Sequence, residues 1–409
     1  MKILSFMLKK DIRRTLMISF LLALISSVFF ISSCKSMYQY DEYTKVLNSF
    51  SKSSNIYESI SEELSKSQSE SNDTIQEIND FVGNNQIMGR PPAVLPDELV
   101  EKLFAPSNQQ GKYCGTQLDD SILLSSMLTQ IEAQNNSEKM IKERMEGYTR
   151  NVRRGVKDKY SLALSQKLIE EYTEVVSYES DKTELRDTRA ANAFVDYMSS
   201  EIVLSFGLYI FLFHIFSSDI QSGRFKSFAV TKTGARKFAL NKIAVGYISA
   251  TIFVIIFYVS AFIMMLTLNK DSSLLSAPIQ YLSGFELSSE TLTVGGYIFM
   301  MFIFKLIYAL FLSSLIMLMS MISRKTIIAG VLSLVPIVLF RGSDTGTTSA
   351  ESHIGMVFHC NFINMTKDIN YVNILNAPVK IYFLYVLIIL LSTAVLTAII
   401  YAISGKRGI

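Results

Sequence analysis

Long apolar runs constrain this chain more than any other feature. Six of them fall at Leu16–Ser33, Ile202–Ser218, Ile243–Leu268, Gly296–Ile322, Ile327–Phe340 and Ile381–Ser404. Five approach or exceed the roughly 18 residues that mark a spanning helix, and the fifth along the chain is shorter. In lipid every backbone polar group must be satisfied internally, which leaves helices or closed barrels. Unbroken apolar runs fit helices, so the expectation is an all-α membrane protein with six transmembrane helices. The short run contains Pro336; a broken or re-entrant helix is tolerated there only where protein or a cavity covers it. Composition agrees: 49% of the 409 residues are hydrophobic and 18% charged, against about a quarter charged in soluble domains.

Orientation follows from Lys and Arg in the short loops. Lys2, Lys9, Lys10, Arg13 and Arg14 precede the first run, and residues 217–242 between the second and third are strongly basic. Arg324 and Lys325 precede the fifth run, and Lys406 and Arg407 follow the sixth. The opposite loops are poorer: Lys270 lies in one, and Arg341 and Lys367, with Lys380, in the other. Both termini are therefore expected in the cytoplasm of a plasma membrane, and the insertion at residues 34–200 outside. The net charge of +3 hides an acidic insertion and a basic remainder. "MLKKDIRRTLMISFLLALISSVFFISSC" also resembles a lipoprotein signal peptide; a retained first span is the expectation.

The insertion has domain size and reads as mainly helical. Ile56, Ile60 and Leu64 recur every four residues, and helical spacing returns in "DDSILLSSMLTQIEAQ" and "YSLALSQKLIEEYTEVVSYESD". "GRPPAVLP" interrupts it. The division expected is an interfacial helix at residues 1–15, a first span at 16–33, the extracellular helical domain at 34–200, and a membrane domain at 201–409.

Several chemistries lack their motifs. There is no phosphate-cradling G-x-x-x-x-G-K-[S/T], no H-E-x-x-H and no G-x-S-x-G. Cys34, Cys114 and Cys360 form no ligand cluster, and His214, His353 and His359 are scattered. The chain is expected to be no enzyme, to hold no metal or cofactor and to bind no nucleic acid. Pairing among the cysteines is not readable from spacing.

Two segments stand out on the cytoplasmic side. "KILSFMLKKDIRR" has an apolar side and the cations Lys9, Lys10, Arg13 and Arg14, as an interfacial amphipathic helix does. "FSSDIQSGRFKSFAVTKTGARKFALNKI" opens with Asp219, places Gly223 four residues later, and then mixes cations with Phe225, Phe228 and Phe238. A positive-inside connector explains its charge but not its spacing. Lys305 lies within the fourth run, where a cation costs at least about 2.5–3.5 kcal/mol. It either snorkels outward, or faces a translocation path or pairs across a subunit interface.

The stretch 219–242 resembles the loop between the second and third spans of ABC-2-type transporter permeases. That family shows Glu, three residues, Gly, an apolar stretch, a Ser/Thr–Gly or Pro turn, Arg, and Lys opening the third span. Here these fall on Asp219, Gly223, Phe228–Val230, Thr233–Gly234, Arg236 and Lys242; Asp replaces Glu at the first. The large insertion after span one is similar to the bacterial sodium and drug exporter branch. The resemblance implies an exporter permease, working with a second permease copy and a separate cytoplasmic ABC ATPase that binds ATP and Mg. It also implies coupling to that ATPase through Asp219, Gly223, Arg224, Phe225, Phe228 and Arg236. Asp219 would pair with a cation of the ATPase or of the N-terminal helix, as a surface carboxylate whose loss costs little stability. Gly223 would allow close helix approach. A MacB-like mechanotransmission subunit, with the same insertion but four spans, is the nearest alternative. A receptor or scaffold using its outer domain is the more distant one.

Overall fold

The computed structural model describes residues 16–28, 30–31, 49–50, 57–65, 110–111, 115–155, 158–180, 187–199, 202–228, 230, 232–269, 272–323, 325–341, 366–367 and 371–407. The first elements are α1 (Leu16–Val28), α2 (57–65), the short strands β1 (Gln110–Gly111) and β2 (Gly115–Thr116), and α3 (Gln117–Arg153). Next come α4 (Lys159–Ser180), α5 (Arg189–Ser199), α6 (Ile202–Leu212), α7 (Ser217–Gln221), α8 (Arg224–Phe228) and α9 (Lys232–Asn269). The chain ends with α10 (Val294–Ile322), α11 (Thr326–Arg341), β3 (Tyr371–Ile374), β4 (Ala377–Lys380) and α12 (Ile381–Arg407). The chain divides into two compact units. One comprises Met1–Cys34, Ile141–Lys182 and Thr188–Ile409; the other comprises Lys35–Met140 and Thr183–Asp187.

The second unit is built where α2 meets the first half of α3. Ile60 is fully buried with Leu123, Leu124, Met127, Leu128 and Ile131, and Phe50 and Leu64 pack against them. Positions 123, 124, 127, 128 and 131 follow the three-and-four spacing of one helix face. Ile60 and Leu64 thus take the roles their spacing predicts; Ile56 lies outside the described residues.

The other unit contains the apolar helices. Four are long and apolar enough to cross a membrane: Val203–Gln221, Gly234–Leu268, Val294–Ile322 and Ile381–Lys406. The first and fifth apolar runs of the sequence form shorter apolar helices, Leu16–Val28 and Thr326–Ile337. The 16 residues of α11 reach about 24 Å, against a hydrocarbon core of about 30 Å.

Helix α10 is the centre of this unit: 61% of its apolar window is buried, against 17% for α12. It packs against α6, α9, α11 and α12. Close approach of α6 to α9 depends on Gly207, where an added Cβ would run into the Phe253 ring. Three hydroxyls tie three helices together: Tyr247 of α9 bonds Ser314 of α10 at 2.7 Å and Thr397 of α12 at 2.5 Å. Between apolar helices such bonds contribute about 0.6–2 kcal/mol each. Helix α1 is fastened to α5 by a hydrogen bond between Ser26 and Tyr197 and by the Phe30 and Tyr197 rings.

At the far end, α4 lies on the β3–β4 hairpin. Leu168, Tyr172 and Val175 are fully buried with Ile141, again at helical spacing. Tyr160 donates to the Tyr371 carbonyl at 3.2 Å, and Tyr172 donates to the Leu287 carbonyl at 2.9 Å. Lys380 sits between Glu290, at 2.8 Å, and Glu171, at 3.2 Å. The hairpin turns through Leu375 and Asn376, both at positive φ, the twist a two-residue hairpin requires.

Helices dominate the described residues, as expected. The two small hairpins correct the all-α reading. "YVNILNAPVK" lacks the Asn-Gly or Asp-Gly pair that normally marks such a turn. Most of residues 342–370, the three cysteines and residues 1–15 lie outside the described residues.

Candidate functional site: the elbow between two apolar helices

The basic stretch between α6 and α9 folds as two one-turn helices meeting at a corner. Helix α6 ends in a turn at residues 213–216, α7 follows, and Gly223 separates it from α8. The start of α7 has backbone donors with no helical partner. They are satisfied by a different helix: the amides of Phe216 and Ser217 both donate to the Ser320 hydroxyl of α10, at 3.1 Å each. The corner needs a left-handed residue, and Gly223 supplies it at φ +74°. L-residues pay about 1–2 kcal/mol there.

Asp219 lies inside this corner. It is 6% exposed, and its Oδ2 is 2.8 Å from Nζ of Lys242 in α9. The approach falls outside hydrogen-bond geometry, so proximity of opposite charge is what holds the pair. Lys242 is itself buried and lies 5.7 Å from the centre of the Phe238 ring. Arg224 reaches Asp219 Oδ1 only at 3.9 Å, and its side chain is 72% exposed. Phe225 is buried on Phe238 at 5.8 Å between ring centres.

The elbow has a third attachment. Gln221 Oε1 accepts from the Thr326 amide at 3.0 Å and from its hydroxyl at 2.8 Å, capping α11. One segment of about a dozen residues therefore holds the ends of α9, α10 and α11. A further clasp joins α9 to α12: the Arg236 guanidinium lies over the Tyr401 ring at 5.0 Å. Gly405 leaves room for it, since a Cβ there would stand 2.7 Å from Arg236 Nε. A cation at the end of α12 is also favoured by the helix dipole.

The structure brings Asp219, Gly223, Arg224 and Phe225 together in one corner. It overturns one expectation about them. Asp219 is not a surface carboxylate: it is buried and paired with Lys242 of its own chain. At Gly223 an added Cβ would meet nothing within 4 Å among the described residues; within them its φ is what requires glycine. Arg236 turns inward onto α12. The backbone of Phe228 ends α8, while Lys9, Lys10, Arg13 and Arg14 lie outside the described residues. Lys305 is elsewhere, 6% exposed within α10, covered by protein rather than turned to lipid.

Sequence reading missed Ser320, Gln221 and Tyr401, whose polar roles are set by helices far apart in the chain. The Lys242 pairing had a signal. Asp219 is the only acid between residues 202 and 269, so any buried cation nearby had one possible local partner. Among the described residues no group of three His, Cys, Asp or Glu side chains is placed to hold a metal ion. Comparisons with protein-family models, curated proteins and solved structures found no match.

Proposed function

We propose that this chain is the permease subunit of an ATP-driven exporter, powered by a separate cytoplasmic ABC ATPase that seats on the elbow at residues 217–228. The observation that carries the reading is the attachment of that elbow to three apolar helices, through Lys242, Ser320 and Thr326. A solvated connector has no need of such fastening. A push on an elbow so held moves helix ends rather than slack chain, which is what coupling between ATP binding and a two-state membrane domain requires. Arg224 and Lys226 remain exposed on its outer face as the contact for the ATPase. Substrate would move outward past α10, with Lys305 in or beside its path, in a dimer with a second permease copy.

The four-span alternative fits less well. With its insertion after the first span, it would place three spans beyond residue 200; four long apolar helices lie there.

The test is co-purification. The tagged full chain, extracted from its own membranes, is expected to bring down a subunit with Walker motifs and ATPase activity. Arg224→Glu reverses an exposed charge, which ordinarily costs under about 0.5 kcal/mol, and is expected to cut the recovered ATPase at least tenfold with the melting temperature unchanged. Recovery of no such subunit, or undiminished recovery with Arg224→Glu, overturns the reading.

A further inference from the structure

The end of the helical unit that carries the elbow also carries three exposed lysines at the boundaries of its apolar windows. Lys237 lies in the first turn of the Gly234–Leu268 window, Lys406 closes the Ile381–Lys406 window, and Lys325 immediately precedes α11. Contacts already described place them at one end. Arg236 on Tyr401 sets the start of α9 beside the end of α12, and Gln221 on Thr326 sets the elbow beside the start of α11. Among the described residues of these helix ends the only acid is Asp219, which Lys242 neutralises internally.

Exposed apolar side chains adjoin the same lysines. Ile327 is 82% exposed, and Ile322 and Ile328 are nearly half exposed on either side of Lys325. Leu240 is 48% exposed one turn from Lys237. A cation directly above an apolar surface fits the boundary between headgroup and acyl chain, where the ammonium meets phosphate and the carbon chain meets lipid. A water-facing protein contact would not call for that apolar layer.

We propose that Lys237, Lys325 and Lys406 form a binding zone for the phosphate headgroups of anionic phospholipids, separate from the coupling face at Arg224 and Lys226. The lipids hold the ends of α9, α11 and α12 in register. The proposal does not depend on the presence of an ATPase.

The test uses the purified full chain in uncharged detergent, with phosphatidylglycerol or phosphatidylcholine titrated in and binding read by native mass spectrometry and by melting temperature. A headgroup-level lysine contributes about fivefold in affinity. Phosphatidylglycerol is therefore expected to bind at least tenfold more tightly than phosphatidylcholine. The triple variant Lys237→Gln, Lys325→Gln, Lys406→Gln is expected to lose at least tenfold of that affinity. For the unaltered chain, raising sodium chloride from 0.05 to 0.5 M is expected to weaken phosphatidylglycerol and spare phosphatidylcholine, which keeps the test meaningful if the variant does not fold. Equal binding of the two lipids, no salt dependence, or full phosphatidylglycerol affinity in a folded triple variant each overturns the proposal. Inorganic phosphate reproducing the stabilisation at equal concentration also overturns it, because the zone would then take free anions.

Discussion

Asp219 and Lys242 form a charge pair whose partners are each less than a tenth exposed. The desolvation of such a pair offsets most of its attraction, but removing one member strands the other and costs about 3–5 kcal/mol. Asp219→Ala and Lys242→Met are each expected to lower stability by about that amount, with the double variant recovering at least half of the combined loss. Thermal unfolding of the four proteins in the same detergent measures this cycle; strictly additive losses would show the pair to be uncoupled. The spacing from Asp219 to Gly223 was legible in the sequence as a local pattern. The burial of Asp219 was not, because it depends on Lys242 being carried back by the first turns of α9. Nor was the inward turn of Arg236, which depends on Tyr401 and Gly405 far along the chain.

At the scale of elements, helical spacing was a sound guide where one face meets one neighbour. Leu168, Tyr172 and Val175 are buried together as their spacing predicts. What α4 packs against was not legible: the β3–β4 hairpin lies some 200 residues away and has atypical turn residues. This packing has a consequence at high pH. Burial raises the Tyr172 hydroxyl from 10 to about 12. A raised folded-state value means that the unfolded chain loses its proton first. The stabilisation is therefore complete below pH 10 and is lost as pH rises towards about 12, at about 1.4 kcal/mol per pH unit. Tyr172→Phe keeps the ring and removes the ionisation. Its melting temperature is expected to fall less between pH 8 and pH 11 than that of the unaltered chain, whatever the offset from losing the bond to Leu287. An identical fall in both would mean that Tyr172 is not the group responsible.

For the molecule as a whole, the ends that the connecting segments join bear on how many times the chain crosses the bilayer. Length and hydropathy single out four helices, because these criteria read each helix alone. The positions of the connecting segments add a separate argument. Thr326 is bonded to the elbow through Gln221, whereas the Thr366 carbonyl accepts from Ser288 at 2.9 Å, beside the loop on which Tyr172 rests. The chain therefore passes from the elbow end to the hairpin end within residues 326–366, although α11 alone is short. The six-crossing arrangement expected from the sequence would count that passage and α1 as crossings beside the four long helices. On the proposed reading, the lysines at the elbow end place it in the cytoplasm. Single cysteines at Lys237 and Lys406, in a chain whose own three cysteines are replaced by serine, are expected to resist an impermeant maleimide in intact cells and to react after lysis. Asn376→Cys, in the exposed hairpin turn, is expected to react before lysis. Labelling of Lys237→Cys and Lys406→Cys from opposite sides would break the six-crossing arrangement. Labelling of both from outside would invert it and remove the cytoplasmic ATPase from reach of the elbow.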